Sequence, residues 1–204
     1  MSNLVIVRHG QSVYNQQNRF TGIVDVELTD LGRTEALAAA EKIKKSPFIF
    51  TDAFVSVLVR AKETLSIILT EIDTQKKINV HESAALNERH YGDLQGLNKA
   101  DMARKYSAEQ VYEWRRSFTT KPPGGESLSE TYDRVIPYYK NSIEPILSKG
   151  TDVLIVAHGN SLRALMMLLE HINPDKVSEV EIATGAPRVY TYGENLKLLA
   201  VRYL

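Results

Sequence analysis

The 204-residue chain contains no cysteine, so neither a disulfide framework nor a thiolate metal centre is available to it. It carries no net charge either. Lysine plus arginine and aspartate plus glutamate both number 25, so no overall field argues for nucleic acid or an anionic membrane surface as a partner. Any anion site must come from cations gathered locally. The opening MSNLVIV lacks a basic leader and a long apolar run, and charge arrives at Arg8, which reads as neither a signal peptide nor a membrane span. A cytoplasmic enzyme or binding protein is the expectation. No Gly-x-Ser-x-Gly elbow occurs, which weakens a Ser-His-Asp hydrolase reading.

What is present is ordinary for a globular protein: 43% hydrophobic and 25% charged residues, with a length suited to one α/β domain. Apolar β-branched runs at 4–7, 53–57 and 153–157 read as strands buried on both faces. Between them, Thr29 is placed to cap a helix on which Ala36, Ala40 and Ile43 share a face, ending before Pro47. Ala61, Leu65, Ile68 and Ile72 mark a second helix. Residues 86–98 read as a long polar loop, followed by short helices at 99–106 and 108–118. Ser127 and Glu130 form a capping box for a longer helix that Pro137 and Pro145 should bend or divide. Helices near 160–171 and 174–180 and a terminal hairpin of 188–193 with 196–203 complete the pattern. Alternating strands and helices predict a mostly parallel central sheet flanked by helices on both faces, in a single domain over 1–204. Residues 86–126 form an elaboration of that domain.

One phrase occurs twice. LVIVRHGQSVYN at 4–15 and DVLIVAHGNSLR at 152–163 both run an apolar strand into His-Gly. Ligands of open parallel sheets sit beyond the carboxyl ends of the strands, so His9 and His158 could face each other across one crevice. Gly10 and Gly159 would admit a ligand closely, and the helix starting near Asn160 offers N–H groups to an anion. Taken singly, each histidine could equally be a satisfied strand-end residue. Two histidines with no carboxylate cluster or third histidine make a poor metal set, and Arg8 repels a cation, so no metal is expected.

Anion chemistry fits better. Arg8 offers a fixed fork of donors. Arg60 stands where the second helix begins, against the helix dipole, unless it and that N-terminus grip one anion; the plainer reading is a surface pair with Glu63. Lys99, Arg115 and Arg116 add charge, although WRR in isolation reads as a solvated helix face. A neutral imidazole is a competent nucleophile near neutral pH, and Glu88 in LNERHYG is the candidate for handling a hydroxyl proton, if it is more than an exposed loop carboxylate.

These residues resemble the histidine phosphatase superfamily, and within it the 2,3-bisphosphoglycerate-dependent phosphoglycerate mutases. LVIVRHGQSVYNQQNRFTG, SVLVRAKETL, LNERHYGDLQGLNKAD, VYEWRRSF, GESLSETYDRVIPYY and VAHGNSLRAL follow in the family's order over nearly the whole chain. RHG marks only the superfamily, whereas LNERHYG, GLNK and WRR are far more specific to the mutases. The resemblance implies a phosphoglycerate-mutase-like fold and a phosphoryl relay between the 3- and 2-positions of phosphoglycerate, a step of glycolysis and gluconeogenesis. His9 would be the phosphorylated nucleophile through Nε2. Arg8, Arg60 and His158 would surround the transferring group, and Glu88 would be acid and base. Ser12, Asn15, Thr21, Gly22, Tyr91, Lys99, Arg115, Arg116, Gly159 and Asn160 match positions that hold the substrate's phosphate and carboxylate. Arg89 and His90 are weaker candidates for direct contact. 2,3-bisphosphoglycerate would prime the enzyme, with no metal, because arginines and an imidazolium supply the charge. A small-molecule phosphatase of the same superfamily is the alternative, and a non-catalytic phospholigand-binding module the third reading.

The chain departs from the family's pattern in three places. KPPGGES closes directly a gap that holds a further segment in many members, which makes a monomer or a small homo-oligomer the expectation. VRYL lacks a mobile tail that covers the site in several relatives, so water should reach the phosphohistidine and give a phosphatase side activity. Gln11 and Tyr14 replace an expected glutamate and tryptophan, and neither removes a catalytic group.

Overall fold

The computed structural model describes residues 1–72 and 77–204. A six-stranded sheet in the order β3-β2-β4-β1-β5-β6 is built from β1 (Ser2–Arg8), β2 (Phe50–Val55), β3 (Asn79–Glu82), β4 (Asp152–Ala157), β5 (Arg188–Tyr192) and β6 (Leu198–Tyr203). The first four run parallel, and β5 turns antiparallel against both β1 and β6. This is the mostly parallel sheet expected.

Period-two alternation splits the core into two layers. From β1 and β4, Val5, Val7, Leu154 and Val156 pack with Ala39, Ala40 and Ile43 of α2 (Asp30–Lys44) and with Ala61, Leu65 and Ile68 of α3 (Val59–Ile72). Leu4, Ile6, Val153 and Ile155 point the other way. They meet Val135 of α6 (Leu128–Tyr138), Leu147 of α7 (Glu144–Leu147) and Leu162 and Leu165 of α8 (Gly159–Leu169). Both predicted caps form: Thr29 accepts the N–H of Gly32 at 3.1 Å, and Ser127 and Glu130 bond reciprocally at 3.1 and 2.7 Å. Pro145 divides the long helix as expected. Lacking an N–H and crowding the carbonyl four residues back, it follows a widened π turn over Tyr139–Ile143 between α6 and α7.

The elaboration carries α4 (Lys99–Tyr106) and α5 (Ala108–Arg116) with a small core of its own, in which the single Trp114 packs with Phe20, Tyr91, Leu94 and Val111. Three expectations need correction. The strand expected at 53–57 ends at Val55, because Ser56 leaves the ladder to meet His158. The helix expected at 174–180 is a 3₁₀ turn over Pro174–Glu179, capped by the Asn173 side chain on the Asp175 N–H. Edge strand β3 was not expected at all: its Asn79, Val80 and Glu82 are exposed, so no buried apolar run signals it.

Candidate active site

The parallel register pairs Arg8 of β1 with Ala157 of β4, and the N–H of His9 reaches the Ala157 carbonyl at 3.0 Å. The next residue of each strand is therefore a histidine beside a histidine. Their ring centroids lie 4.9 Å apart at 59°. Both rings are buried. His9 Nδ1 lies 2.6 Å from the carbonyl of Gly10, which can only accept, so the proton sits on Nδ1 and Nε2 keeps its lone pair. Burial pushes the His9 pKa well below the usual histidine range, and the nearby charges of Arg60 and Arg8 push it the same way. The neutral ring is favoured, and Nε2 carries the free lone pair.

His158 is held differently. Its Nε2 lies 2.6 Å from the hydroxyl of Ser56, which also accepts the N–H of Leu58 at 3.3 Å. When the serine hydroxyl donates to Nε2, the imidazole proton falls on Nδ1, a buried atom with no partner in the protein. Burial, followed by Arg60, His9 and Arg8, keeps this histidine neutral too. The protein's own surroundings thus disfavour the imidazolium that the resemblance implies. Charging His158 costs desolvation beside two arginines, a cost that an anion bound between them would offset.

Arg8 donates to the Ile182 carbonyl at 2.7 Å and Arg60 to the carbonyls of Gly22 and Val24 at 2.8 and 2.9 Å. Each guanidinium keeps a buried Nε without a partner. Three donors around His9, from Arg8, Arg60 and His158, thus await an acceptor of several oxygens, which a phosphoryl group supplies. Arg60 is wholly buried, and Glu63 pairs instead with Arg33 at 2.6 Å, so the surface-pair reading of Arg60 fails. At the start of α3 the anion is the protein's own: the carboxylate of Asp25 accepts the Val59 N–H at 2.7 Å, and its charge also favours the cationic form of Arg60. Gly10 also departs from expectation. A side chain there would collide with the carbonyl of Gly32 at the start of α2, so the glycine permits two backbones to cross. Gly159 does face the site, where a Cβ would lie 3.6 Å from Glu88 Oε2 and 3.7 Å from Arg8 Nε.

Glu88 hangs over the N-terminus of α8. Its Oε1 accepts the N–H groups of Arg89 at 2.8 Å and Asn160 at 3.0 Å, which leaves Oε2 free beside Gly159. The loop beneath it is braced by Arg134, which donates to the carbonyls of Ala85 and Glu88 at 2.8 and 3.2 Å and pairs with Glu126 at 2.7 Å.

A cleft of about 120 Å³ opens in front of Glu88. Arg8, Asn15, Thr21, Gly22, Glu88, Tyr91, Lys99, Arg115, Arg116, Gly159 and Asn160 all line it, drawn from five segments of the chain. Four sequence candidates do not. His9 and His158 are themselves buried and outside that lining. Arg60 lies buried behind the wall, and Ser12 is consumed as the N-cap of α1 (Val13–Gln16), accepting the Asn15 N–H at 3.3 Å. Arg89 is buried as well: it donates to the Tyr91 hydroxyl at 3.0 Å and the Arg115 carbonyl at 2.7 Å, bracing both. His90 faces a second cavity on the far side of the loop. Phe20, Arg163 and Glu181 line the cleft without having been anticipated. Arg163 had a signal, standing three residues after Asn160 on α8, whose Oδ1 it holds at 2.6 Å. Lys99 is among the most perturbed cations here. Burial, then Arg115 and Arg8, lower its pKa to about 8.

Residues 4–202 match the family described as the histidine phosphatase superfamily, branch 1. The chain belongs to the histidine phosphatase superfamily. It is 57% identical over 204 residues to a 2,3-bisphosphoglycerate-dependent phosphoglycerate mutase of Cytophaga hutchinsonii, covering 100% of this chain and 94% of that one. A mutase of the same name from Gloeothece citriformis is 44% identical, with 97% of each chain covered. That alignment runs over 226 positions, more than this chain has residues, so this superfamily member lacks counterparts for some of the relative's residues. Among solved structures, a mycobacterial glucosyl-3-phosphoglycerate phosphatase complexed with VO3 superposes with a TM-score of 0.83 at 28% identity, covering 98% of this chain and 96% of that one. The alpha-ribazole phosphatase of Shigella flexneri, at 22% identity and a TM-score of 0.80 over 98% and 95%, shares the fold. Among the described residues no helix is long and apolar enough to cross a membrane.

Proposed function

We propose that this protein is a 2,3-bisphosphoglycerate-dependent phosphoglycerate mutase that interconverts 3-phosphoglycerate and 2-phosphoglycerate in the cytoplasm, its chain serving as one domain around one site. The identity of 57% to a mutase across the entire chain carries the reading. The cleft supports it independently, since Glu88, Lys99, Arg115 and Arg116 line it together with Arg8, whose Nε has no protein partner and whose chain neighbour, the buried His9, keeps a free imidazole nitrogen.

His9 is the nucleophile in this reading. Its Nε2 bonds to phosphorus as the oxygen–phosphorus bond breaks, and Arg8, Arg60 and His158 Nδ1–H take the spreading charge of the equatorial oxygens. Bound 2,3-bisphosphoglycerate would supply the phosphoryl group that His9 carries, and the donor set fits its several anionic groups. The 2-hydroxyl of 3-phosphoglycerate then attacks the phosphoryl on His9 while Glu88 Oε2 takes its proton. After reorientation the 3-phosphoryl returns to His9, Glu88 gives the proton back, and 2-phosphoglycerate leaves. Lys99, Arg115, Arg116, Tyr91, Asn15, Thr21, Gly22, Gly159 and Asn160 hold the remaining phosphate and carboxylate, and Ser12 acts by fixing Asn15.

A phosphatase reading is favoured by one observation, the likeness at 28% identity to a mycobacterial glucosyl-3-phosphoglycerate phosphatase. The purified protein distinguishes the two. Supplied with 3-phosphoglycerate and bisphosphoglycerate, it should isomerise far faster than it releases phosphate. Phosphate release without 2-phosphoglycerate would sink the mutase reading.

A further inference from the structure

The segment Val180–Glu181–Ile182 forms one wall of the cleft, and three arginines of the site hold it. Arg163 donates to the Val180 carbonyl through Nε at 3.2 Å and Nη2 at 3.0 Å, and Arg116 Nη1 reaches the same oxygen at 3.5 Å. Arg8 takes the Ile182 carbonyl at 2.7 Å. Between these two anchors the Glu181 side chain turns into the cleft, and its Oε1 accepts from Arg116 Nη2 at 2.6 Å.

Glu181 is thus a carboxylate in a cleft built for anions, alongside Glu88. Glu88 has a chemical task that requires a carboxylate, and the relay gives Glu181 none. Its side chain is 76% exposed while that of Arg116 is 17% exposed, so the guanidinium is held in place and the carboxylate is the member free to swing away.

We infer that Glu181 is a built-in counter-anion and specificity-determining residue, occupying Arg116 until a ligand phosphate or carboxylate displaces it and opposing the more highly charged bisphosphate more than the monophosphate. The inference rests on the mutase reading for the identity of the ligands and on the geometry alone for the competition. Two consequences follow from the charge. The free cleft has less excess positive charge to hold stray anions, and release of a bound phosphoglycerate is eased because the vacated arginine has a partner waiting.

The test compares the wild type, Glu181→Gln and the charge control Glu179→Gln, an exposed carboxylate paired with Lys176 rather than with the cleft. Calorimetric Kd values for 3-phosphoglycerate, 2,3-bisphosphoglycerate and inorganic sulfate are measured at low and high salt, together with KM and kcat. Glu181→Gln should bind 3-phosphoglycerate about two- to fivefold more tightly, the range that exposed ion pairs command. The gain should be larger for the bisphosphate, KM should fall without a rise in kcat, and the difference should shrink at high salt. Unchanged affinity, or an equal gain in Glu179→Gln, overturns the inference. The two readings fail separately. Tighter anion binding in a protein that does not isomerise 3-phosphoglycerate overturns the mutase and keeps the counter-anion, while isomerisation with unmoved affinity does the reverse.

Discussion

His9 and His158 stand 4.9 Å apart on adjacent strand ends, yet their protons lie on opposite terms: His9 spends Nδ1–H on its neighbour's carbonyl and frees Nε2, whereas His158 has Nε2 tied to Ser56 and Nδ1 unpartnered. In the proposed relay one ring is the nucleophile and the other a donor. The expected outcome is that peptide mapping after incubation with bisphosphoglycerate finds phosphate on His9, and that His9→Ala abolishes both the phosphoenzyme and isomerisation. His158→Ala should fold and bind but lose about 10² to 10³ in kcat, the usual worth of one donor to the transferring charge. Phosphate on His158 would reverse the roles.

Glu88 offers Oε2 while its other oxygen is anchored by two backbone N–H groups. Glu88→Gln keeps the shape and removes the base. Its kcat should fall about 10²- to 10⁴-fold with little change in KM, measured by coupled assay. A loss of only a few-fold would mean that water or another group moves the proton.

Lys99 titrates at about 8, because burial and the neighbouring arginines disfavour its charge. The charged form binds anions, so KM for 3-phosphoglycerate should rise as pH climbs through that value in the free enzyme. Lys99→Met should start with a high KM and show a flatter profile over the same range. A wild-type KM that is level up to pH 9 would remove Lys99 from the binding set.

Gly10 and Gly159 look alike in sequence and should behave in opposite ways. Gly10→Ala drives a methyl into the Gly32 backbone and should destabilise by about 1–3 kcal/mol, read from the denaturant midpoint. Gly159→Ala meets only ordinary contacts with Glu88 and Arg8, so stability should hold while substrate binding weakens.

The Glu126–Arg134 pair ties the Glu88 loop to α6 and predicts an acid limit. Burial alone would raise the Glu126 pKa, but hydrogen bonding and charge from Arg134 and the His90 N–H outweigh it and hold the pKa below its ordinary 4.5. A depressed folded-state pKa contributes stability that is present above the ordinary value and lost as pH falls below it. Glu126→Gln should therefore lower stability at neutral pH and flatten its decline between about pH 5 and 3, followed by urea melts across pH. A parallel decline in both proteins would place the acid-labile contact elsewhere.

Local pattern carried much of this molecule. Thr29, Ser127 and the Ala36–Ala40–Ile43 face were legible because caps and helical stripes involve residues three or four apart, and the strands because a run buried on both faces needs no partner to be recognised. β3 was hidden by its exposed side chains. The helical reading of 174–180 failed because a few residues do not distinguish α from 3₁₀ geometry. Glu181 was illegible, since nothing nearby in the chain hints that it meets Arg116, 65 residues away.

The sequence by itself determined that two strands would end in His-Gly, that cations would gather around them, and that Glu88 would stand in a polar loop. The strand endings and the loop are local properties, whereas the cations meet only because the motifs that carry them are brought together from distant segments. Only the tertiary structure decided that Arg8 registers with Ala157, that one histidine frees Nε2 and the other Nδ1, and that Gly10 serves a backbone crossing while Gly159 serves the cleft. Each of those outcomes depends on atoms brought together by packing across the sheet, where burial sets the protonation state and the nearest backbone sets the space.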